Sequence, residues 1–282
     1  MRLFLLATLV MIAFAANSVL IRLALAGGEI GALPFATLRI ASGGAVLALL
    51  VLVRRRALPL RASGRWTGVL SLTLYVIAFS LAYLGLDAGT GALILFGCVQ
   101  ITMFSATVIE RQPIPPLRWL GAMTAFGGLA WLLWPRGADA LSPLHAGLMA
   151  AAGLGWGLYS LAGRRAGPPL PATAANFVLA APLCLLLLVL SLAAAPAVPM
   201  TAAGVGLALA SGIVTSGLGY ALWYAVLPQI PATVAALAQL SVPVIAMAGG
   251  MAFLGEAPSL RFAGATVLVL GGIATGLLAR RG

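Results

Sequence analysis

Residues 118–134 read RWLGAMTAFGGLAWLLW, and residues 261–277 read RFAGATVLVLGGIATGL. Arg118, Gly121, Ala122 and Gly128 of the first stretch answer Arg261, Gly264, Ala265 and Gly271 of the second, at an offset of 143 residues (118 against 261). The correspondence extends outward. Phe14-Ala-Ala-Asn17 with Arg22 answers Trp156-Gly-Leu-Tyr159 with Arg164, Tyr83 answers Tyr224, and Glu110 answers Glu256. Alanine, leucine and glycine align by composition alone in any apolar chain. Arginine, glutamate and aromatic positions in the same order do not, so the chain reads as one unit repeated, with copies at 1–137 and 138–282.

Each copy is built for lipid. Of 282 residues 62% are hydrophobic and 7% charged, and the mean hydropathy is +1.13. A water-facing domain carries about 25% charged residues, so this chain has no means of covering a solvated surface. Apolar runs broken at Gly, Pro and Arg predict ten helices, each with the roughly 20 residues that cross a bilayer: 3–25, 34–53, 66–86, 88–108, 117–134, 145–163, 172–194, 202–225, 231–253 and 260–279. Arg2, the first apolar run and Ala13-Phe14-Ala15 imitate a cleaved signal peptide. The counterpart at Trp156–Tyr159 argues that the segment is a retained first helix.

Orientation follows from arginine, because every one of the 16 basic residues is arginine. Placing the N-terminus in the cytoplasm puts Arg2, Arg54, Arg55, Arg56, Arg61, Arg65, Arg111, Arg118, Arg164, Arg165, Arg280 and Arg281 inside, and only Arg136 and Arg261 outside. Positive residues stay inside, so both termini are expected in the cytoplasm of a bacterial inner-membrane protein. The basic residues punctuate apolar runs, which removes nucleic acid as a partner and leaves membrane lipid. Cys98 and Cys184 read as small buried hydrophobes, and one histidine, His145, excludes a histidine-based metal site. No cofactor is expected. Five spans per copy is an odd number, so the second copy enters the membrane upside down. Inverted repeats of this kind build carriers that open to each side in turn.

The two five-helix copies, the aromatic-small-x-Asn pattern at Phe14–Asn17, Arg39 early in the second span, and Glu110 and Glu256 closing the fourth and ninth resemble the drug/metabolite transporter superfamily with its EamA-type repeat, nearest to the YddG-type amino-acid exporters. The resemblance covers the whole chain. It implies an all-α membrane protein of ten transmembrane helices, two inverted five-helix repeats around a central cavity, with helices five and ten to one side. It also implies a proline inside spans four and nine. Pro243 supplies the second, but its mate is Gln100, so span four is expected to lack the break.

Polar and aromatic groups retained in hydrocarbon are the site candidates. These are Phe14 and Asn17; Tyr75, Phe79 and Tyr83, one face at helical spacing; Gln100; Trp156 and Tyr159; Tyr220; and Gln239. Each has a plainer reading. Tyr83, Trp223 and Tyr224 near span ends also suit interface anchoring, and Asn17, Gln100 and Gln239 also suit helix-to-helix hydrogen bonds. Arg22 and Arg39 either snorkel to headgroups or pair with Glu29, or form a vestibule that attracts a carboxylate. No acid lies mid-span, which disfavours proton-coupled export of large cationic drugs, and no nucleotide loop is present. The chain is expected to be no enzyme but a secondary transporter, moving an amino acid or similar small neutral or zwitterionic metabolite by alternating access. Lipid-carrier flipping and intramembrane catalysis are the alternatives; the latter would want the clustered His, Asp or Glu that this chain lacks.

Overall fold

The computed structural model describes residues 1–54, 56–111, 113–134, 141–164, 166–194 and 200–278. The proposed repeat boundary at 137/138, and Arg55, Arg136, Arg165, Arg280 and Arg281 of the charge count, lie outside the described residues. Among the described residues all regular structure is helical: α1 Arg2–Ala26, α2 Ala32–Val53, α3 Arg65–Ala82, α4 Ala88–Ile109, α5 Pro116–Leu133, α6 Pro143–Gly163 and α7 Pro169–Ala194, then α8 Ala202–Gln229, α9 Val234–Leu254 and α10 Leu260–Leu278. Eight of these are long and apolar enough to cross a membrane. The exceptions, α5 and α6, are diluted by glycine and tryptophan and carry Arg118 and His145.

Local chemistry sets the ends. Proline opens α5 and α6, where its missing N–H and fixed φ cost nothing. Thr201 caps α8, its hydroxyl accepting from the Gly204 N–H at 3.1 Å. Gly255 closes α9 at φ 67°, a left-handed position that a side chain resists.

Two helices depart from α-geometry. Residues Ser211–Leu218 of α8 form a π-helix. In α9 the helix ends at Gln239 and restarts at Ser241, because Pro243 has no N–H to offer the Gln239 carbonyl. With Gln100 in the equivalent place, α4 runs unbroken.

The molecule is apolar on the outside. Phe4, Leu49, Leu190, Phe253 and Val267 are among many exposed large hydrophobics, a surface that water would not tolerate and lipid would. Inside, α5 packs on α10, α2 on α7, α4 on α9 and α6, α3 on α6, and α1 on α8 and α9. Small residues set the approach. A Cβ at Gly121 would strike the Gly272 carbonyl, and Phe177 of α7 seats against Gly43 and Gly44 of α2. Not every glycine serves this purpose: Gly127 and Gly255 face open space, and Gly255 is the helix cap. Helix α1 is integral to the bundle, with Val10, Ala15 and Ile21 buried.

Candidate functional site

Asn17 of α1 turns its Oδ1 to the π-helical turn of α8. The Ser211 hydroxyl donates to it at 2.8 Å, Thr215 at 2.5 Å and Ser216 at 3.5 Å. A π-helix bonds i to i+5, which widens the turn and brings residues 211, 215 and 216 to one face. Ser216 is the link to α2: its Oγ accepts from Arg39 Nε at 3.1 Å. Arg39 Nη2 donates to the Tyr75 hydroxyl of α3 at 3.0 Å, and its guanidinium carbon lies 5.1 Å from the Phe79 ring centre and 5.5 Å from that of Tyr75. Arg39 is 2% exposed, and its Nη1 has no hydrogen-bond partner. Gly212 allows this approach, since a Cβ there would sit 2.5 Å from the Arg39 carbonyl oxygen.

Aromatic rings carry the site onward. Tyr75 contacts Phe79 at 5.3 Å and Trp156 at 4.9 Å, Phe79 contacts Tyr83 at 4.8 Å, and Trp156 contacts Tyr159 at 5.3 Å and Tyr220 at 5.6 Å. Phe14 closes on Tyr220 at 5.4 Å. Beyond them the Tyr159 hydroxyl donates to Thr173 at 3.2 Å, which shares a 2.8 Å hydrogen bond with Tyr224. One turn further along α7, Asn176 accepts from Arg65 at 2.9 Å. Arg65 also donates to the Pro59 and Ala172 carbonyls, and its buried Nη2 is left over. The rings thus touch one another across α1, α3, α6 and α8.

Open space lies toward the ends. A cavity of about 360 Å³ opens at the face where α1 begins, lined by Arg65, Thr67, Glu110, Leu158, Arg164 and Asn176 among others. On the opposite face charged side chains tie the helix ends together beside a cavity of about 280 Å³ lined by Asp87 and Glu256. Arg22 Nε meets Glu256 at 3.2 Å, Arg22 also donates to the Tyr83 carbonyl, and Asp87 stands 3.8 Å away. The Ala88 N–H donates to the other Glu256 oxygen at 2.8 Å, and Thr201 donates to Glu29. Burial is the main cause that raises the Glu256 carboxyl above its ordinary range, Asp87 adding to it, while the Ala88 N–H and Arg22 pull the other way.

Eight of the ten candidate residues are therefore in one connected cluster: Phe14, Asn17, Tyr75, Phe79, Tyr83, Trp156, Tyr159 and Tyr220. The other two are elsewhere. Gln100 lines a groove of about 380 Å³ between α4, α5 and α10 beside Phe104 and Trp119, and Gln239 donates within its own helix, to the Ala235 carbonyl at 3.5 Å. Tyr83 and Trp223 are buried, so they do not anchor an interface. Arg22 pairs with Glu256 and not with the neighbouring Glu29, and Arg39 does not snorkel. Sequence reasoning missed Ser211, Thr215, Ser216, Thr173 and Asn176, small polar residues common in packed membrane helices. It also counted Arg65 as a loop charge; the residue is 5% exposed.

Comparison with known proteins settles the family. The model for the EamA-like transporter family matches residues 144–277. A protein of Pseudomonas aeruginosa described as uncharacterised is 47% identical over the whole chain and is itself 96% covered. The chain belongs to the EamA-like transporter family. A solved crystal structure, 24% identical, superposes with a TM-score of 0.68 over 97% of this chain and 99% of its own, a likeness of fold. This EamA-like chain is thus a multi-pass membrane protein of a small-molecule transporter family.

Proposed function

We propose that the protein is a secondary carrier of small neutral or zwitterionic metabolites, amino acids first among them, exported across a bacterial inner membrane by alternating access. In this reading all ten helices cross the bilayer and residues 1–137 and 138–282 are inverted copies. Helix packing supports it: the pairs α2–α7, α4–α9 and α5–α10 join repeat mates, and α3–α6 has its counterpart in α8–α1. The arginine bias puts the face bearing the 360 Å³ cavity in the cytoplasm and the Arg22–Glu256 closure outside.

The observation that carries the proposal is the connected polar and aromatic cluster between the two faces, with ion pairs at one of them. Such pairs break and re-form at modest cost near water, as a gate must. Part-buried Phe14 and Trp156 are the rings with room to swing aside for cargo.

The test is counterflow of radiolabelled amino acids in proteoliposomes. Saturable uptake accelerated by unlabelled amino acid inside is expected; the absence of counterflow for every amino acid tried would remove amino acids as cargo. The groove holding Gln100, with Arg118 at its edge, favours a second reading as a lipid-carrier flippase. That reading predicts translocation of a labelled anionic lipid in the same vesicles.

A further inference from the structure

Arg39 carries a permanent cation at a position only 2% exposed. Charges buried at membrane depth are paired or functional, yet among the described residues no carboxylate pairs with this one. Among the described residues, Glu29, Asp87 and Glu256 belong to the opposite-face network and Glu110 to the vestibule, and the Arg39 side chain meets the hydroxyls of Ser216 and Tyr75 and the ring faces of Tyr75 and Phe79. One guanidinium nitrogen, Nη1, is buried without any partner. Arg65, the other buried arginine, also keeps one nitrogen without a partner, but two carbonyls and an amide oxygen surround it and it borders the 360 Å³ cavity that Glu110 also lines. An enclosed cation satisfied only by neutral groups is a site awaiting an anion. The planar fork of a guanidinium fits a carboxylate through two parallel bonds, and the Tyr75 hydroxyl, accepting from Nη2, keeps its own hydrogen to donate.

We propose that Arg39 is the docking point for a carboxylate of the cargo, held by its free Nη1 together with the Tyr75 hydroxyl. This rests on the carrier reading and narrows it, from small polar metabolites to those bearing a carboxyl group. The aromatic rings of Trp156 and Tyr220 then take the remainder of the molecule. Arg39 joins α2 to α8 and α3 by two hydrogen bonds; a glutamine amide can keep one of them while removing a buried charge that no described carboxylate offsets, so the two effects oppose and the fold is not weakened.

The test is thermal unfolding of the purified full chain in detergent with acid and amide pairs, leucine against leucinamide and benzoate against benzamide. The acids are expected to raise the melting temperature and the amides not. Arg39→Gln is expected to melt at or above the wild type without ligand and to bind the acids on the order of a hundredfold more weakly, the usual cost of losing one member of a buried charge pair. Asn17→Asp places a carboxylate one hydroxyl away from Arg39; it is expected to raise the melting temperature and to abolish the response to acids. Equal stabilisation by acids and amides, no stabilisation by any of them, or an intact acid response in Arg39→Gln would overturn the proposal. So would a large loss of ligand-free stability in Arg39→Gln. Acid binding without counterflow would remove the carrier reading and keep the site; equal counterflow of leucine and leucinamide would keep the carrier and remove the site.

Discussion

Tyr159 and Gln100 looked alike as single letters, each a polar side chain at mid-span, and the bundle separates them. Tyr159 donates to Thr173 inside the cluster, while Gln100 faces the groove beside α5 and α10. Substituting each with Ala in the counterflow assay is therefore expected to give opposite results. Tyr159→Ala should lower transport by about tenfold or more, the effect of losing a positioned contact, and Gln100→Ala should leave it within about twofold of wild type; the reverse order would move the pathway to the α4–α5–α10 groove. Asn17 is the residue whose loss the fold should feel. Asn17→Leu leaves the Ser211 and Thr215 hydroxyls without their shared acceptor. It is expected to cost about 1–2 kcal/mol, the upper range for hydrogen bonds in membrane proteins, read as a lowered melting temperature.

At the scale of the helix, the irregular pieces position the site. The π-helical turn of α8 presents three hydroxyls to α1 and α2, and the gap after Gln239 in α9 frees a carbonyl. Glycines decide how near the helices come. Gly212 abuts the Arg39 backbone and Gly121 abuts Gly272. Gly121→Val is expected to destabilise the α5–α10 pair by about 1–3 kcal/mol, the range for overpacking. Gly127→Val, a few residues away where a Cβ meets nothing within 4 Å, is expected to be neutral. Comparable unfolding of the two variants in detergent would contradict this account of the packing.

For the whole molecule the Arg22–Glu256 closure links the state of one face to pH. The Glu256 carboxyl is raised above its ordinary value by burial in the closed state; on opening it is hydrated and returns to that value. The closed state thus holds the proton more tightly, so acidification favours closure, and this preference is lost as pH rises through the raised value. Asp87 and Arg22 are the charged neighbours that set its size. A cysteine at Thr90, which is buried beside the cavity of about 280 Å³ at this face, reports opening through its labelling by an impermeant maleimide. The labelling rate relative to a Glu256→Gln background is expected to fall from pH 7 to pH 5; a ratio independent of pH would separate Glu256 from the gate.

Helix positions and the membrane character of the chain were legible in the residues alone. Hydrocarbon admits backbone only when its hydrogen bonds are closed within the helix, so an apolar run of sufficient length leaves the chain one choice. The same holds for Tyr75, Phe79 and Tyr83 of the aromatic cluster, because i, i+4, i+8 spacing fixes a face. Which face turns inward, and what meets it there, are long-range facts. Asn17 finds partners 194 to 199 residues away, Arg22 passes over Glu29 for Glu256, and Arg39 is enclosed where a helix-end arginine was expected to reach water. No local periodicity encodes those encounters, since they depend on how close glycine lets two helices approach.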